Sequence, residues 1–303
     1  MATKQFKCNV CGYIHEGDAA PEKCPVCSAP ASEFTALQSD ENGKPAKKGF
    51  FQDTNSNGYI LFYSTVMVVL VAAALAFVSL SLQKRQADNE LNEKKVSILK
   101  SLFASEATED KSVDEVIAEK GIKYDEFIES SVLDVNGQKI EGADAFAQLR
   151  DLKTSFKEGK FPVFEAKDGR LVIPVNGVGL WGPIWGYVAL GDDMNTIQGI
   201  IMDHKGETPG LGAEIATAKY QARFVGKEIF EGDKFVSIVL RKGGAQDPLH
   251  EVDAITGGTK TSDGVSQMLH ASLEHYLPLL NARRQASAQN EQVSNEEIVE
   301  NHE

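Results

Sequence analysis

Four cysteines stand in two pairs near the start of the chain. Cys8 and Cys11 form the first pair, and after 12 intervening residues Cys24 and Cys27 form the second. Each Cys-x-x-Cys pair can aim two thiolates at one ion from a short turn, and four thiolates in a tetrahedral array bind zinc or iron. The spacing therefore predicts one metal site and disfavours buried or disulfide-paired cysteines. The unit around it, residues 1–37, is too short to fold on an apolar core alone, so the metal is expected to hold it together.

A second candidate site combines glycines and hydroxyl side chains at the start of a predicted helix. Residues 253–265 read Asp-Ala-Ile-Thr-Gly-Gly-Thr-Lys-Thr-Ser-Asp-Gly-Val. Glycine lets the backbone come close to a ligand, and the free N–H groups at a helix N-terminus favour an anion such as phosphate. Threonine and serine before a helix are also common as plain N-caps, so this segment alone leaves both interpretations open.

Two further glycine-containing segments precede this one. Residues 179–187 read Gly-Leu-Trp-Gly-Pro-Ile-Trp-Gly-Tyr, and residues 205–214 read Lys-Gly-Glu-Thr-Pro-Gly-Leu-Gly-Ala-Glu. The second of them, taken alone, is typical of a turn after a strand. The C-terminal part of the chain has no Ser-His-Asp arrangement, no His-Glu-x-x-His and no phosphate loop. No catalytic residue is therefore predicted.

The cysteine-bearing segment closely resembles the rubredoxin-like module that ends rubrerythrins. The resemblance rests on residues 11–18, Cys-Gly-Tyr-Ile-His-Glu-Gly-Asp, and residues 20–27, Ala-Pro-Glu-Lys-Cys-Pro-Val-Cys. It implies one iron held by the four cysteine sulfurs and the passage of single electrons, with zinc as the alternative metal. Ser28 departs from the pattern, because such modules usually carry glycine after the last ligand.

The other three segments, in their order along the chain, resemble the flavin-binding domain of the C subunit of the sodium-translocating NADH:quinone oxidoreductase. The resemblance covers about residues 59–280. The Gly-Leu-Trp segment looks like that of the C subunit rather than that of its relative, the G subunit of the Rnf electron-transfer complex. It implies an FMN joined through its phosphate to the hydroxyl of Thr259. Gly258 stands where alanine is more usual.

The same resemblance implies the partners of the flavin site. A flavin transferase that uses FAD as donor would attach the FMN, and Asp253 would belong to the signal it reads. Packing around the ring is assigned to Leu180, Trp181, Thr208 and Leu211, although Trp181 or Trp185 could equally belong to the core. The full set of predicted flavin-site residues is Thr259, Asp253, Thr256, Gly257, Gly258, Leu180, Trp181, Glu207, Thr208, Gly210 and Leu211.

A membrane span is predicted from Tyr59 to Leu82, which are 24 consecutive residues without a charge. A helix of that length covers about 36 Å, enough to cross a hydrocarbon layer about 30 Å thick. The run begins too late and is too long for a cleaved signal peptide. A net charge of -13 argues against nucleic-acid binding, which needs a basic face.

The chain is therefore predicted to be α+β. We divide it into a metal domain (1–37), a linker (38–57), a transmembrane helix (58–83), an FMN-binding domain (84–280) and a polar tail (281–303). Apolar residues at 91, 98, 99 and 102 suggest that the membrane helix emerges and lies against the following domain. The predicted strands are 171–175, 185–190, 197–202 and 235–240, and the predicted helices are 143–156, 216–225 and 265–280. Asn-Gly at 136–137 predicts a hairpin turn.

The resemblance to the C subunit implies an electron-transfer subunit of a membrane complex that oxidises NADH, reduces a quinone and exports sodium. It also implies that the protein crosses the cell inner membrane once, with the metal domain in the cytoplasm and the flavin domain in the periplasm. The lysine and arginine count, three before the span and five after it, favours the opposite orientation, but it is a weak guide for segments this long. The alternatives are an Rnf-type G subunit and a membrane-anchored zinc ribbon with a ligand-binding domain.

Overall fold

The computed structural model describes residues 4–37, 54, 56–108 and 110–286. The chain divides into two compact units, residues 1–83 and 84–303, which are described in turn. Nearly all of the predicted linker lies outside the described residues.

The first unit begins with a small antiparallel sheet of order β2-β1-β3. Its strands are β1 (Lys4–Cys8), β2 (Ile14–Gly17) and β3 (Phe34–Leu37). The buried apolar residues of this described part of the chain are only Cys8, Cys24 and Ala29. Such a core is too small to stabilise the fold without a bound metal.

The long helix α1 runs from Asn57 to Phe103 and includes the whole predicted span. An 18-residue window within the helical stretch has a mean hydropathy of 2.5, and none of it is buried inside the structure. It is the one helix in the described part of the chain that is long and apolar enough to cross a membrane. The predicted single span is therefore supported.

The second unit is built on a five-stranded antiparallel meander of order β4-β5-β6-β7-β8. The strands are β4 (Ile128–Leu133), β5 (Phe161–Ala166), β6 (Leu171–Val178), β7 (Pro183–Leu190) and β8 (Ile197–His204). Two separate apolar clusters, one on each face, bury this sheet. The central strands therefore contain long runs of buried apolar residues, and these runs allowed the strands to be predicted from the sequence.

One face of the sheet is covered by the end of α1 and by short helices. These helices are α2 (Val113–Lys120), α3 (Tyr124–Phe127) and α4 (Ala145–Gln148). Ile98, Leu102 and Phe103 of α1 are essentially fully buried in the cluster on this face, as the sequence predicted for this end of the helix. Helix α5 (Leu152–Lys157) packs its Phe156 on the opposite face. The Arg170 guanidinium donates to the carbonyl oxygen of Leu102 and lies over the Phe103 ring, so it closes the C-terminus of α1.

Gly199 of β8 lies in close contact with the end of α1. A Cβ atom at Gly199 would collide with the carbonyl oxygen of Ser101 and with the side chain of Ala104. Backbone atoms cannot give way as a flexible side chain can. We expect Gly199→Ala to lower the free energy of unfolding of this unit by about 2–3 kcal/mol.

Urea unfolding of the detergent-solubilised chain, followed by tryptophan fluorescence, measures this effect, because Trp181 and Trp185 are the only tryptophans and both lie in this unit. Gly206→Ala is the matched control. Gly206 has a φ outside the left-handed region, and a Cβ atom at this position would have no other atom within 4 Å. Its substitution should therefore change the free energy of unfolding by less than about 0.5 kcal/mol. Equal midpoints for both variants would contradict the close contact.

The other face of the sheet is covered by α7 (Thr259–Glu274) and by the segment between β8 and α7. That segment contains α6 (Ala218–Gln221), β9 (Phe230–Glu231), β10 (Lys234–Phe235), β11 (Val239–Arg241) and β12 (Glu251–Asp253). Helix α7 can touch the sheet because residue 264 is glycine: a Cβ there would collide with the carbonyl oxygen of Val178 and lie 3.3 Å from the Cα of Gly179.

Several predicted elements need correction. The strand predicted at 235–240 is broken, because Ser237 has a φ of +61° and the amides of Val236 and Ser237 both donate to the carbonyl of Ile229. The helix predicted at 143–156 is interrupted by a 3-10 turn at Leu149–Asp151, where Asp151 starts the next helix by capping the Thr154 amide.

The boundaries of the last helices also differ from the prediction. The helix expected at 216–225 is α6 followed by a 3-10 turn, and α7 starts at Thr259 rather than at 265. The polar tail expected from residue 281 is helical up to 286. Arg283 pairs with Glu165 at 2.7 Å, and Arg284 stacks on Phe230, so these first residues of the tail bind the folded unit. Residues 287–303 lie outside the described part of the chain.

Candidate metal centre and flavin site

The two cysteine loops bring their four sulfur atoms to one point. All four Sγ atoms lie within 4.8 Å of one another, with Cys8 and Cys27 at 3.7 Å and Cys11 and Cys24 at 3.5 Å. Four cysteine ligands with this clustering fit a tetrahedral zinc or iron site. Burial raises the pKa of the Cys24 thiol, but hydrogen bonds from the backbone N–H groups of Cys27 and Val26 and from the side chains of Cys11 and Cys27 together lower this pKa to about 7. Its thiolate form is thereby favoured.

The two cysteine loops contain the same pair of backbone hydrogen bonds. The amide of Cys8 donates to the carbonyl of Tyr13 and the amide of Gly12 donates to that of Cys8. In the second loop, sixteen residues later, the amide of Cys24 donates to the carbonyl of Ala29, and the amide of Ser28 donates to the carbonyl of Cys24. The repeat extends to the backbone angles. Gly12 has a φ of +76° and Ser28 has a φ of +60°.

Ser28 therefore adopts the left-handed conformation that glycine would hold without strain. We expect Ser28→Gly to stabilise the metal domain by about 0.5–1 kcal/mol, because the relief of strain exceeds the extra chain entropy of glycine. The urea concentration at which the full chain releases its metal to a chromogenic chelator measures this effect. The reverse change at the matched position, Gly12→Ser, should lower that midpoint. A lower midpoint for Ser28→Gly would show that the serine side chain is needed in its loop.

The three glycine-containing segments meet at one end of the large sheet. Residues 179–182 form the tight turn between β6 and β7, closed by a hydrogen bond of 2.8 Å from the amide of Gly179 to the carbonyl of Gly182. The 205–211 loop follows β8. The start of α7 contacts both segments, since Thr261 bonds to Glu207 and Gly264 lies against Val178 and Gly179. Leu211 covers Gly257, where a Cβ would lie 2.6 Å from its Cδ2 atom. The turn, the loop and the start of the helix are thus brought together.

Glu207 connects the three segments. It is only 4% exposed, its Oε1 accepts a hydrogen bond of 2.8 Å from the amide of Trp181, and its Oε2 accepts one of 2.5 Å from the hydroxyl of Thr261. The sequence marked Glu207 as a flavin contact but could not show that it lies between two loops and a helix.

The hydroxyl groups at the start of α7 are not equivalent. Thr261 and Ser262 are buried and already engaged, since Thr261 donates to Glu207 and Ser262 donates to the carbonyl of Gly258. Thr259 is half-buried, and no residue in the described part of the chain forms a hydrogen bond with its hydroxyl. Thr256 is exposed. Thr259 therefore carries the hydroxyl in the first turn of α7 that is partly exposed and has no hydrogen-bond partner among the described residues.

The N-cap interpretation of this segment is wrong. The N-cap position of α7 is Gly258, and no side chain of the described residues caps the helix, although α2, α4, α5 and α6 all have a side-chain cap. The first amides of α7 are therefore left for another partner, and a phosphate group is one that they fit.

Apolar side chains lie exposed beside this helix start. Leu180 is 55% exposed, Trp181 is 68% exposed and Leu211 is 41% exposed. Trp185 is also exposed, so neither tryptophan belongs to the core. Of the other predicted site residues, Thr208 and Gly210 lie in the 205–211 loop, and Gly258 is buried against Ile255.

Asp253 lies at the end of β12 and is exposed. Its Oδ1 accepts a hydrogen bond of 2.7 Å from the amide of Ala245, and its Oδ2 lies 3.5 Å from Arg223. In this structure its side chain anchors the 242–245 loop. The exposed carboxylate is also accessible to another protein.

Comparison with known proteins decides the family. Residues 179–274 match the FMN-binding domain family, and residues 6–35 match the rubredoxin-like domain of rubrerythrin. The C subunit of the Na(+)-translocating NADH-quinone reductase of Neisseria meningitidis serogroup A is 30% identical over 262 residues, which cover 80% of this chain and 99% of that protein. The chain belongs to this C-subunit family. The predicted family is therefore confirmed.

Other C subunits are also similar to this chain. The C subunit of the Pasteurella multocida reductase is 42% identical over 97 residues, covering 32% of this chain and 37% of that protein. The crystal structure of the C subunit from Parabacteroides distasonis is 41% identical and superposes with a TM-score of 0.56, covering 66% of this chain and 96% of that one. The predicted α+β class, with a four-cysteine domain, one long apolar helix and an FMN-binding domain, is confirmed.

Proposed function

We propose that this chain is the electron-transfer subunit of a membrane complex that oxidises NADH, reduces a quinone and exports sodium, and that it carries FMN on Thr259 as a phosphoester. The observation that carries the attachment site is the free hydroxyl of Thr259 on the first residue of an uncapped helix. When bound, the flavin supplies one- and two-electron redox chemistry. The protein residues hold its phosphate and pack against its ring.

The residues at the site divide into two groups by what they can contact. The free amides at the start of α7 can bind the phosphate oxygens, and Gly257 and Gly258 let the backbone approach them. Leu180, Trp181 and Leu211 present apolar surface for the isoalloxazine ring. Thr208 lies exposed in the same loop as Leu211 and is a polar contact in this proposal.

A phosphoester attaches the cofactor without changing the flavin ring. In the proposed maturation step, a flavin transferase recognises a signal that includes Asp253 and uses FAD as donor. The exposure of this side chain supports such a contact.

The four-cysteine domain is proposed to hold one iron on Cys8, Cys11, Cys24 and Cys27 and to transfer single electrons. The match of residues 6–35 to the rubredoxin-like domain of rubrerythrin supports iron over zinc. Metal analysis of protein from iron-replete cells distinguishes the two, and stoichiometric zinc would favour a structural role for this domain.

The chain is proposed to cross the cell inner membrane once, with the metal domain in the cytoplasm and the FMN-binding domain in the periplasm. A reducing cytoplasm suits four free thiolates. Protease added outside intact spheroplasts should digest residues 84–280 and spare the cysteine domain. Removal of the cysteine domain alone would reverse this topology and would agree with the lysine and arginine count.

Mass spectrometry of the intact chain tests the proposed function most directly. Protein produced with a flavin transferase should gain the mass of one FMN less one water, and the denatured protein should remain yellow and fluorescent. The mass should stay unmodified in a host without the transferase. A chain that binds flavin only reversibly would favour a ligand-binding module with a membrane anchor. Copurification with the other subunits of an NADH:quinone reductase, rather than with those of an Rnf complex, tests the assembly.

A further inference from the structure

Glu207 is a buried carboxylate with no cation beside it among the residues that the structure describes. A buried charge is costly unless it is hydrogen-bonded, and breaking its bonds leaves an unpaired group. Both oxygens of Glu207 are satisfied, one by the amide of Trp181 and one by the hydroxyl of Thr261. A group held at such cost between a loop and a helix fixes their relative position.

Two glycines form the slot for this carboxylate. A Cβ at Gly179 would lie 2.5 Å from the Oε1 atom of Glu207, and a Cβ at Gly212 would collide with its Oε2 atom and lie 2.5 Å from the hydroxyl of Thr261. The carboxylate therefore occupies space that exists only because both positions lack a side chain.

Thr261 transmits the position of Glu207 to the first turn of α7. It lies two residues after Thr259, in the third position of the helix. The next residue also fixes this turn: the hydroxyl of Ser262 accepts a hydrogen bond of 3.0 Å from the amide of Ile255 and donates to the carbonyl of Gly258. Two neighbouring side chains therefore hold the turn, and the hydroxyl of Thr259 is left without a hydrogen bond to any described residue.

We propose that Glu207 is a positioning residue for flavin attachment, acting through Thr261 to hold the Thr259 hydroxyl for reaction. This inference rests on the proposed function. In the attachment step, the Oγ1 atom of Thr259 bonds to the phosphorus on the riboflavin side of FAD, and the pyrophosphate P–O bond breaks. AMP leaves, the hydroxyl proton passes to solvent, and no oxidation state changes. A misplaced acceptor slows such a step strongly.

The test is the initial rate of covalent flavin incorporation into the full chain, measured with purified flavin transferase and FAD by fluorescence in denaturing gels. Glu207→Ala and Thr261→Val should each slow attachment on the order of tenfold. The double variant should be no slower than the slower single variant, because the two residues act as one contact. Thr261→Ser, which keeps the hydroxyl, should restore a rate within about twofold of wild type.

Asp263→Asn is the matched control, since Asp263 is exposed in the same turn and should leave the rate unchanged. Thr261→Val retains the side-chain volume, so it keeps the test valid if Glu207→Ala does not fold. Wild-type rates in folded Thr261→Val protein would overturn the inference, and so would a double variant in which the two effects multiply. If the wild-type chain itself takes up no flavin, the proposed function fails together with this inference; if it does and the variants match it, only this inference fails.

Discussion

Thr259→Ala is expected to abolish covalent flavin completely. The substitution removes the single oxygen to which the phosphorus would be joined, and the neighbouring hydroxyls of Thr261 and Ser262 are buried and hydrogen-bonded. Peptide mapping of protein made with the transferase measures the result: wild type should carry the flavin on the peptide that contains Thr259, and the variant should carry none.

Asp263→Asn provides the control for this experiment. Asp263 is exposed and lies four residues after the proposed acceptor, in the same helix, so its loss should leave the modified peptide unchanged. Flavin found on Thr256, Thr261 or Ser262 in the Thr259→Ala protein would show that the acceptor was assigned to the wrong residue. The family membership would be unaffected.

The second large effect is expected from Cys24→Ser, which should release the metal and unfold the cysteine domain. Cys24 is one of three buried apolar residues in the described part of that domain. The same side chain therefore serves as a metal ligand and as part of the small core. Metal binding in such a domain is coupled to folding. Metal content and limited proteolysis of the full chain measure both losses, while the tryptophan fluorescence of the second unit should not change.

Val26→Ser is the matched control, because Val26 lies in the same loop but is 65% exposed. It should keep its metal and its resistance to protease. A Cys24→Ser protein that still holds one metal ion tightly would mean that three cysteines and a water suffice. The coupling between metal and fold would then be weaker than the small core indicates.

The sequence was most informative where one short segment determines the structure. The cysteine loops are local, and β6, β7 and β8 are long apolar runs buried on both faces, so their positions were predicted correctly. Strand β5 was missed because Pro162 lies within it, and proline weakens a strand assignment. Helix α2 could have been found from its capping box, in which Ser112 and Glu115 bond each other's backbone amides.

The candidate flavin site was predicted as a set of residues but not as an arrangement. The motifs placed three segments in one site through a family resemblance, and the structure brings them together. The bond between Glu207 and Thr261 joins residues that are 54 positions apart, so no local pattern contains it. The choice among the hydroxyls of α7 likewise depends on burial and on bonds that only the folded chain defines.

The slot around Glu207 has a consequence for the evolutionary history of this domain. A methyl group at 179 or 212 would push the carboxylate out of its present position, so neither glycine can change while Glu207 keeps its two hydrogen bonds. Once residue 207 becomes shorter, the space it leaves can be filled from either glycine position. Among related chains, these three positions should therefore vary together. Chains with glutamate at 207 should have glycine at both 179 and 212, and chains with a larger residue at 179 or 212 should have a small residue at 207.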